Sequence, residues 1–189
     1  MDYEIRNMKA ELRAEDPKDE PKVIRGYFAV FDSGTELYPK VFEKIDRNAF
    51  EKSLIENDVR ALTNHDSSLV LGRTKSGSLK LRTDEKGLYG EILINEDDQE
   101  AVNLYARVKR GDVDQCSFGF IVRAEENDWQ DDVLRTTLTD VDLLEVSCVT
   151  FPAYKDTAIS ARSKERIENA KDKYLAEQRN KLKEKFSWL

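Results

Sequence analysis

The sequence predicts an α+β fold, in which a closed or strongly curved, mostly antiparallel β-barrel is flanked by helices and followed by a C-terminal helix. Three observations predict it. Most apolar runs are short and strand-like, helical periodicity interrupts them at only two places in the body, and the regular strand–helix alternation of a parallel sheet is absent. Short strands protect their edges when a sheet closes, which favours a barrel.

The chain of 189 residues suits one domain with a modest appendage. We expect a flexible arm over residues 1–21, a folded domain over 22–162 and an amphipathic helix over 163–189. The last segment has eight Lys or Arg against five Asp or Glu. The tail therefore has a net charge of +3. Since the net charge of the whole chain is −7, the rest of the chain carries about −10.

The composition excludes several classes of protein. An acidic chain with 37% charged residues is not expected to bind nucleic acid, because that needs a basic face. No apolar run is long enough for a membrane span, and the first residues lack a secretory signal, so a cytosolic protein is expected. Two cysteines and one histidine predict neither a disulfide framework nor a metal or other cofactor.

The elements of the first half follow from local patterns. KVIRGYFAVFDS predicts a strand that ends in a turn over residues 32–34. DRNAFEKSLIE has apolar residues at helical spacing, which predicts a short helix capped by Asp46. DVRALTNHDSSLVLGR predicts two short strands around a polar loop that contains His65. SLKLRTDEKGLYGEILI predicts a hairpin that turns over residues 84–87.

The second half begins with the clearest helical pattern of the body, NEDDQEAVNLYARVKRG, which is acidic at its start and ends in basic residues and glycine. QCSFGFIV and LTDVDLLEVSCVTFP then predict strands, the second ended by Pro152. After Arg162 the apolar residues recur every three or four positions, which predicts the C-terminal helix.

The strand QCSFGFIV divides into two unlike faces. Cys116, Phe118 and Phe120 form a large apolar face that is expected in the core. Ser117 and Gly119 form the other face, which is nearly bare, so a peptide backbone could lie close to the Ser117 hydroxyl.

Glu145 lies in a segment whose two faces are both largely apolar, which predicts an interior strand. A carboxylate there is costly unless it is paired. His65, the only histidine, is the natural partner, because a carboxylate that accepts one ring N–H lets the other nitrogen take a proton from Ser117. These residues suggest a Ser–His–acid site for acyl transfer, formed by His65, Ser117 and Glu145.

Four segments occur in order: GYFAVFDS, the Asn-His-Asp loop followed by LVLGRT, RVKRGDVDQCSFGF, and LLEVSCVTFPAYKDTAIS. Together they resemble the capsid-maturation (prohead) protease family of tailed bacteriophages, serine peptidases related in fold to the herpesvirus protease assemblin. The resemblance extends from about Gly26 to Arg162 and implies a herpesvirus-protease-like fold. It also implies that His65 is the general base and Ser117 the nucleophile.

The third catalytic residue is less clear from the resemblance. The herpesvirus relatives use a second histidine, which this chain lacks. Glu145 occupies the expected strand, with Asp66, Asp140 and Asp142 as lesser candidates. The donors to the oxyanion also stay open, and backbone N–H groups near residues 149–153 are candidates.

The family resemblance implies an endopeptidase that removes scaffold segments from the phage major capsid protein, and that cuts itself, inside the assembling prohead in the bacterial host cytoplasm. Association into a homo-oligomer is left open, and neither nucleic acid nor membrane is an expected partner. Two alternatives remain. In the first alternative, Cys116 or Cys148 is the nucleophile and His65 is the base. In the second, the chain is a non-enzymatic capsid assembly or scaffold module that binds through its C-terminal helix.

Overall fold

The computed structural model describes residues 3–8, 12–14, 20–151 and 161–186. Within these ranges the chain forms eleven strands and three helices, and the strands belong to two sheets. In chain order the elements are β1 (Glu4–Met8), β2 (Arg13–Ala14), β3 (Val23–Val30), β4 (Thr35–Tyr38), β5 (Val41–Ile45), α1 (Glu51–Glu56), β6 (Arg60–Thr63), β7 (Asp66–Arg73), β8 (Leu79–Thr83), β9 (Gly87–Leu93), α2 (Gln99–Arg110), β10 (Gln115–Gln130), β11 (Val133–Val149) and α3 (Ala161–Phe186).

The larger sheet is built around the long hairpin of β10 and β11. Asp131 and Asp132 connect these strands with φ of 50° and 62°, the backbone that a two-residue type I′ turn requires. The strand order is β1-β10-β11-β5-β4, while β6 also pairs with β11 and β7 with β6. β11 pairs in parallel with both β5 and β6, so this sheet is mixed. The prediction that β11 is an interior strand is confirmed.

The smaller sheet is antiparallel, with the order β2-β3-β9-β8. Its inner face contributes Phe28 and Leu88 to the core, and the larger sheet contributes Phe118 and Phe120, whose rings stack with centroids 5.0 Å apart. All four side chains are fully buried. The predicted apolar face of the QCSFGFIV strand therefore lies in the core between the two sheets.

The predicted barrel is wrong, because neither sheet closes within the described part of the chain. The strands β1 and β4, at the two ends of the larger sheet's path, each pair along one edge only. The prediction assumed that closure protects the edges of short strands. The apolar strand faces instead pack against a second sheet, and the two end strands of the path are short, with five residues in β1 and four in β4.

The two helices of the body are present, but α1 begins later than expected. For α2, the Asp98 carboxylate accepts the N–H groups at the start and Gly111 ends the helix with φ of 86°. Asp46 instead caps a turn by accepting the Asn48 N–H at 2.9 Å. The Ala49 carbonyl accepts the Val141 N–H of β11, which holds this turn to the sheet before the helix starts at Glu51.

The C-terminal helix α3 packs on the sheet of its own chain. The Tyr174 ring stacks on Trp129 of β10 with centroids 5.6 Å apart, and Arg166 contacts Glu43 of β5. At the other end of the chain, residues 4–8 of the predicted arm form β1 of the larger sheet. The division into arm, domain and helix stays a prediction. None of the helices in the described ranges is long and apolar enough to cross a membrane.

Candidate active site

His65 lies at the tip of the β6–β7 hairpin. Only Asn64 and His65 separate the two strands, with φ of 50° and 62°, and Asn and His are among the residues that tolerate this conformation. The Asn64 N–H donates to the Cys148 carbonyl at 3.0 Å, and its side-chain oxygen accepts the Thr150 N–H at 2.9 Å. The polar interruption in the sequence is therefore a tight turn fixed to the end of β11.

The imidazole of His65 contacts the buried carboxylate of Glu145. His65 Nδ1 lies 2.7 Å from Glu145 Oε1, and Ser147 donates its hydroxyl to Glu145 Oε2 at 2.6 Å. Ser147 Oγ also accepts the His65 backbone N–H at 3.2 Å. Both carboxylate oxygens are thus occupied, which offsets the cost of burying the charge.

The Nε2 atom of His65 is the other notable feature of this ring. When Nδ1 donates its proton to Glu145, Nε2 is left as the unprotonated nitrogen that can accept one. It is buried and has no hydrogen-bond partner among the described residues. In that tautomer, Nε2 is the ring nitrogen left to take up a proton.

Ser117 lies on β10 directly opposite Ser147 of β11, and Gly119 lies opposite Glu145. Residues opposite each other in an antiparallel pair point to the same face, with Cβ atoms about 4.5–5.5 Å apart. Ser117 therefore shares the face of His65 and Glu145. Its side chain is fully buried, and its hydroxyl donates to the Arg6 carbonyl oxygen of β1 at 2.9 Å rather than to His65.

A β-bulge and a glycine bring Glu145 close to β10. The register shifts between Gly119 and Phe120, which leaves Leu144 without an opposite residue beside Glu145. A Cβ at position 119 would lie 2.5 Å from Glu145 Oε1 and 2.4 Å from the ring of Tyr3. The bare face predicted at Gly119 is therefore filled by these two side chains. Burial and the Glu145 charge raise the pKa of Tyr3.

The three lesser acid candidates have other surroundings. The Asp66 carboxylate accepts hydrogen bonds from the hydroxyl and N–H of Ser68, which lower its pKa. Asp142 accepts a hydrogen bond from Arg123 Nε at 2.5 Å. Asp140 lies opposite Ala124 in the outer part of the hairpin. Of the four candidate acids, Glu145 is the one that contacts His65.

The two cysteines do not resemble nucleophiles. Cys116 and Cys148 are opposite each other on β10 and β11, fully buried, on the core side of the sheet. Burial raises the pKa of Cys116 well above its usual value and that of Cys148 to about 12. Because the thiolate is the reactive form, this environment argues against the cysteine alternative.

Sequence reasoning missed three contributors. Ser147 lies two positions after Glu145 on the same face, so strand periodicity could have found it. Asn64 stands beside His65, and its preference for positive φ was a further signal. Arg6 acts through its backbone carbonyl, for which side-chain identity gives no signal. Of the oxyanion candidates, the Thr150 N–H is used by Asn64, and residues 152 and 153 lie outside the described ranges.

Known phage proteins are similar to this chain. The family model described as caudovirus prohead serine protease matches residues 8–173. Among solved structures, the bacteriophage T4 capsid assembly protease, gp21, aligns with a TM-score of 0.47 and 12% sequence identity, over 77% of this chain and 98% of that chain. No curated protein matches the sequence.

Proposed function

Because the chain belongs to the caudovirus prohead serine protease family, we propose that it cuts phage head proteins with Ser117 as nucleophile, His65 as general base and Glu145 as the acid. Membership makes the chain a serine protease of capsid maturation. The observation that supports this triad is the 2.7 Å contact between His65 Nδ1 and Glu145 Oε1, on the sheet face that carries Ser117.

In the proposed reaction, Ser117 Oγ attacks the carbonyl carbon of the substrate while its proton passes to His65 Nε2. Glu145 stabilises the imidazolium, and Ser147 keeps the carboxylate in place. His65 then gives the proton to the leaving amine, which leaves an acyl group on Ser117. Water, activated by the same imidazole, hydrolyses this ester, releases the carboxylic acid and restores the hydroxyl.

The proposed substrates are scaffold segments of the major capsid protein and the protease itself, cut inside the assembling prohead in the host cytoplasm. Membership of the family supports the reaction class and the setting, whereas the identity of these substrates is part of our proposal. The alternative, a non-enzymatic assembly module that binds through the C-terminal helix, has no observation in its favour. Arg166 and Tyr174 of α3 contact the sheet of the same chain.

The experiment that tests the nucleophile is prolonged incubation with a fluorophosphonate, followed by mass spectrometry of the labelled peptide. We expect the label on Ser117, no label in Ser117→Ala and strongly slowed labelling in His65→Ala. Ser76→Ala, which removes an exposed serine from the turn after β7, serves as the matched control and keeps the label. A label that persists in Ser117→Ala would exclude this residue as the nucleophile.

The same variants test proteolysis. Purified wild-type protein incubated with the capsid protein of its phage should shorten that protein on a gel, and Ser117→Ala and His65→Ala should not. Cleavage by wild type, Ser76→Ala and Ser117→Ala alike would point to a contaminating protease and contradict the proposal.

A further inference from the structure

The strand β1 covers the edge of β10 beside Ser117. It pairs antiparallel with β10, with Asn7 opposite Ser117 and Arg6 opposite Phe118. The Arg6 carbonyl accepts the Ser117 hydroxyl at 2.9 Å, and Ser117 is fully buried. The chain thus places one of its own peptide carbonyls at the hydroxyl that the proposed function makes the nucleophile.

The side chain of Arg6 occupies a site made by other parts of the molecule. Its Nε and Nη2 atoms donate to the two oxygens of Glu43 at 2.6 and 3.0 Å, and its guanidinium carbon lies 5.3 Å from the centroid of the Phe120 ring. Arg6 Nη2 also donates to Glu4 of its own strand at 2.6 Å, and Glu43 also accepts a hydrogen bond from Arg166. Glu43 belongs to β5, Phe120 to β10, and both are buried. A two-pronged carboxylate beside an aromatic face matches the planar fork of arginine better than the ammonium of lysine.

While β1 is in place, the candidate site is closed on the side of β10 that faces away from β11. The Ser117 proton is directed to Arg6, and His65 Nε2 has no hydrogen-bond partner within the described ranges. The Tyr3 ring, which immediately precedes β1, packs against the position of Gly119 beside Glu145. A substrate carbonyl and β1 cannot occupy this edge together.

We propose that this edge of β10 is the peptide-binding site of the protease, that β1 occupies it at rest, and that Glu43 with Phe120 recognises an arginine of the peptide that replaces β1. The inference rests on the proposed function. The replacing peptide binds as an added strand through backbone hydrogen bonds, with the carbonyl of its arginine at Ser117. The enzyme is silent until β1 leaves, and its substrates are extended segments that contain arginine.

The first test is the rate at which a fluorophosphonate labels Ser117. Arg6→Met keeps the bulk of the side chain and removes its hydrogen bonds to Glu43 and Glu4, so β1 leaves the edge more often. Labelling should accelerate by about tenfold or more, because reactivity scales with the accessible fraction. Arg25→Met, which removes a half-exposed arginine of β3, is the matched control and should label at the wild-type rate. An unchanged rate in folded Arg6→Met would overturn the inference.

The second test asks what the vacated edge binds. The peptide acetyl-Tyr-Glu-Ile-Arg-Asn-Met-amide should slow labelling of the Arg6→Met protein. The same peptide with citrulline, the neutral isostere of arginine, should need a concentration about tenfold higher or more, since it lacks the charge that Glu43 pairs with. Equal potency of the two peptides would overturn the arginine site.

A measurement on protein that keeps Arg6 covers the case in which Arg6→Met fails to fold. The arginine peptide, added in excess to Ser117→Ala protein so that nothing is cut, should accelerate amide hydrogen exchange of residues 4–8 and leave β11 unchanged. Peptide binding with no change in β1 exchange would overturn the inference. Labelling that is independent of Ser117 would instead refute the proposed function, so the two failures are distinguishable.

Discussion

Glu145 is a buried carboxylate with a partner on each oxygen, and this arrangement fixes the imidazole of His65. His65 Nδ1 contacts one oxygen at 2.7 Å and Ser147 donates to the other at 2.6 Å. Because both bonds are made, the carboxylate can neither rotate nor leave the ring. In the proposed mechanism, Glu145 and Ser147 act through His65, and each can be tested separately.

Replacing Glu145 by glutamine should lower kcat by up to about 10⁴-fold with little change in KM. The amide keeps the shape but does not stabilise the imidazolium, and it favours the wrong tautomer of His65. Peptide cleavage kinetics measure the effect, and circular dichroism verifies the fold. A variant within a few-fold of wild type would show that Glu145 is not the third member.

Ser147→Ala should have a smaller effect on kcat. It removes the hydrogen bond to Glu145 and the acceptor of the His65 N–H, and bonds to charged groups contribute about 1.5–3 kcal/mol, which corresponds to roughly a tenfold to hundredfold loss. Ser147→Thr, which retains the hydroxyl, should recover part of the rate. Equal rates for alanine and threonine would contradict this positioning role.

Residue-scale reasoning from sequence reached the His65–Glu145 pair because a charge in an apolar strand requires a partner, and the chain has one histidine. It did not reach the hydrogen bond from Ser117 to Arg6. That bond ends on a backbone carbonyl, and only the register of β1 on β10 determines which carbonyl it is. The two-residue periodicity of a strand shows which face of the sheet each side chain lies on, but not which strand lies beside it.

The β6–β7 hairpin is the element that carries His65, and it is held at both ends. Asn64 fixes its tip to β11. At its base, Arg73 donates through Nε to both carboxylate oxygens of Asp58, at 2.9 and 2.8 Å. The base clamp joins the residues on either side of the hairpin, so it limits how far the tip can swing.

This clamp should respond to acid. The hydrogen bonds from Arg73 hold the pKa of Asp58 at about 2, below its ordinary value of 3.8. A depressed carboxyl pKa stabilises the fold above the ordinary value, and this stabilisation is lost as the pH falls toward 2. Asp58→Asn should therefore lower Tm at pH 6, and the difference from wild type should shrink between about pH 4 and pH 2.

Thermal unfolding followed by circular dichroism at several pH values measures the Asp58 effect. Asp97→Asn, which changes an exposed aspartate before α2, is the control and should match wild type throughout. A difference between wild type and Asp58→Asn that persists undiminished at pH 2 would mean that the ion pair is not its cause.

At the scale of elements, the sequence predicted β3, the strands β6 to β9 and α2, but it missed β1, β2, β4 and β5 and underestimated the β10–β11 hairpin. Residues 125–130, EENDWQ, have no continuous apolar face, so their alternation did not indicate a strand. These residues nevertheless form a strand, because β11 pairs along them and Tyr174 of α3 covers Trp129. Tyr174 lies 45 positions after Trp129 in the sequence, so no local pattern indicates this contact.

The whole molecule is tied together by a cluster of buried and partly buried charges between its two ends. Arg166 of α3 contacts Glu4 of β1, Glu43 of β5 and Glu125 of β10, and Arg6 pairs with the first two of these. Four elements that are far apart in sequence thus share one network. Removing one cation from it leaves buried carboxylates short of a partner.

Arg166→Met should lower the free energy of unfolding by about 3–5 kcal/mol, the usual effect of breaking a buried ion pair. Arg179→Met, on an exposed position of the same helix, should change it by less than about 0.5 kcal/mol. Urea unfolding of the two variants and wild type gives the comparison. Similar values for both variants would show that the network does not anchor α3.

The fold class could be predicted only in part. Composition and periodicity gave an α+β chain with a C-terminal helix, and these features are present. The barrel was wrong because closure depends on which strands lie at the edges and on what covers the sheet. In this molecule β1 and β5 meet through the side chains of Arg6 and Glu43 rather than through backbone pairing, and a local pattern carries no such information.

The strands β6 and β11, which pair in parallel, are synthesised at different times. His65 leaves the ribosome 80 positions ahead of Glu145, roughly 4–16 s earlier at about 5–20 residues per second. Throughout that interval the nascent chain has an imidazole and no carboxylate to orient it. The proposed triad therefore cannot form on a partial chain that ends before Glu145.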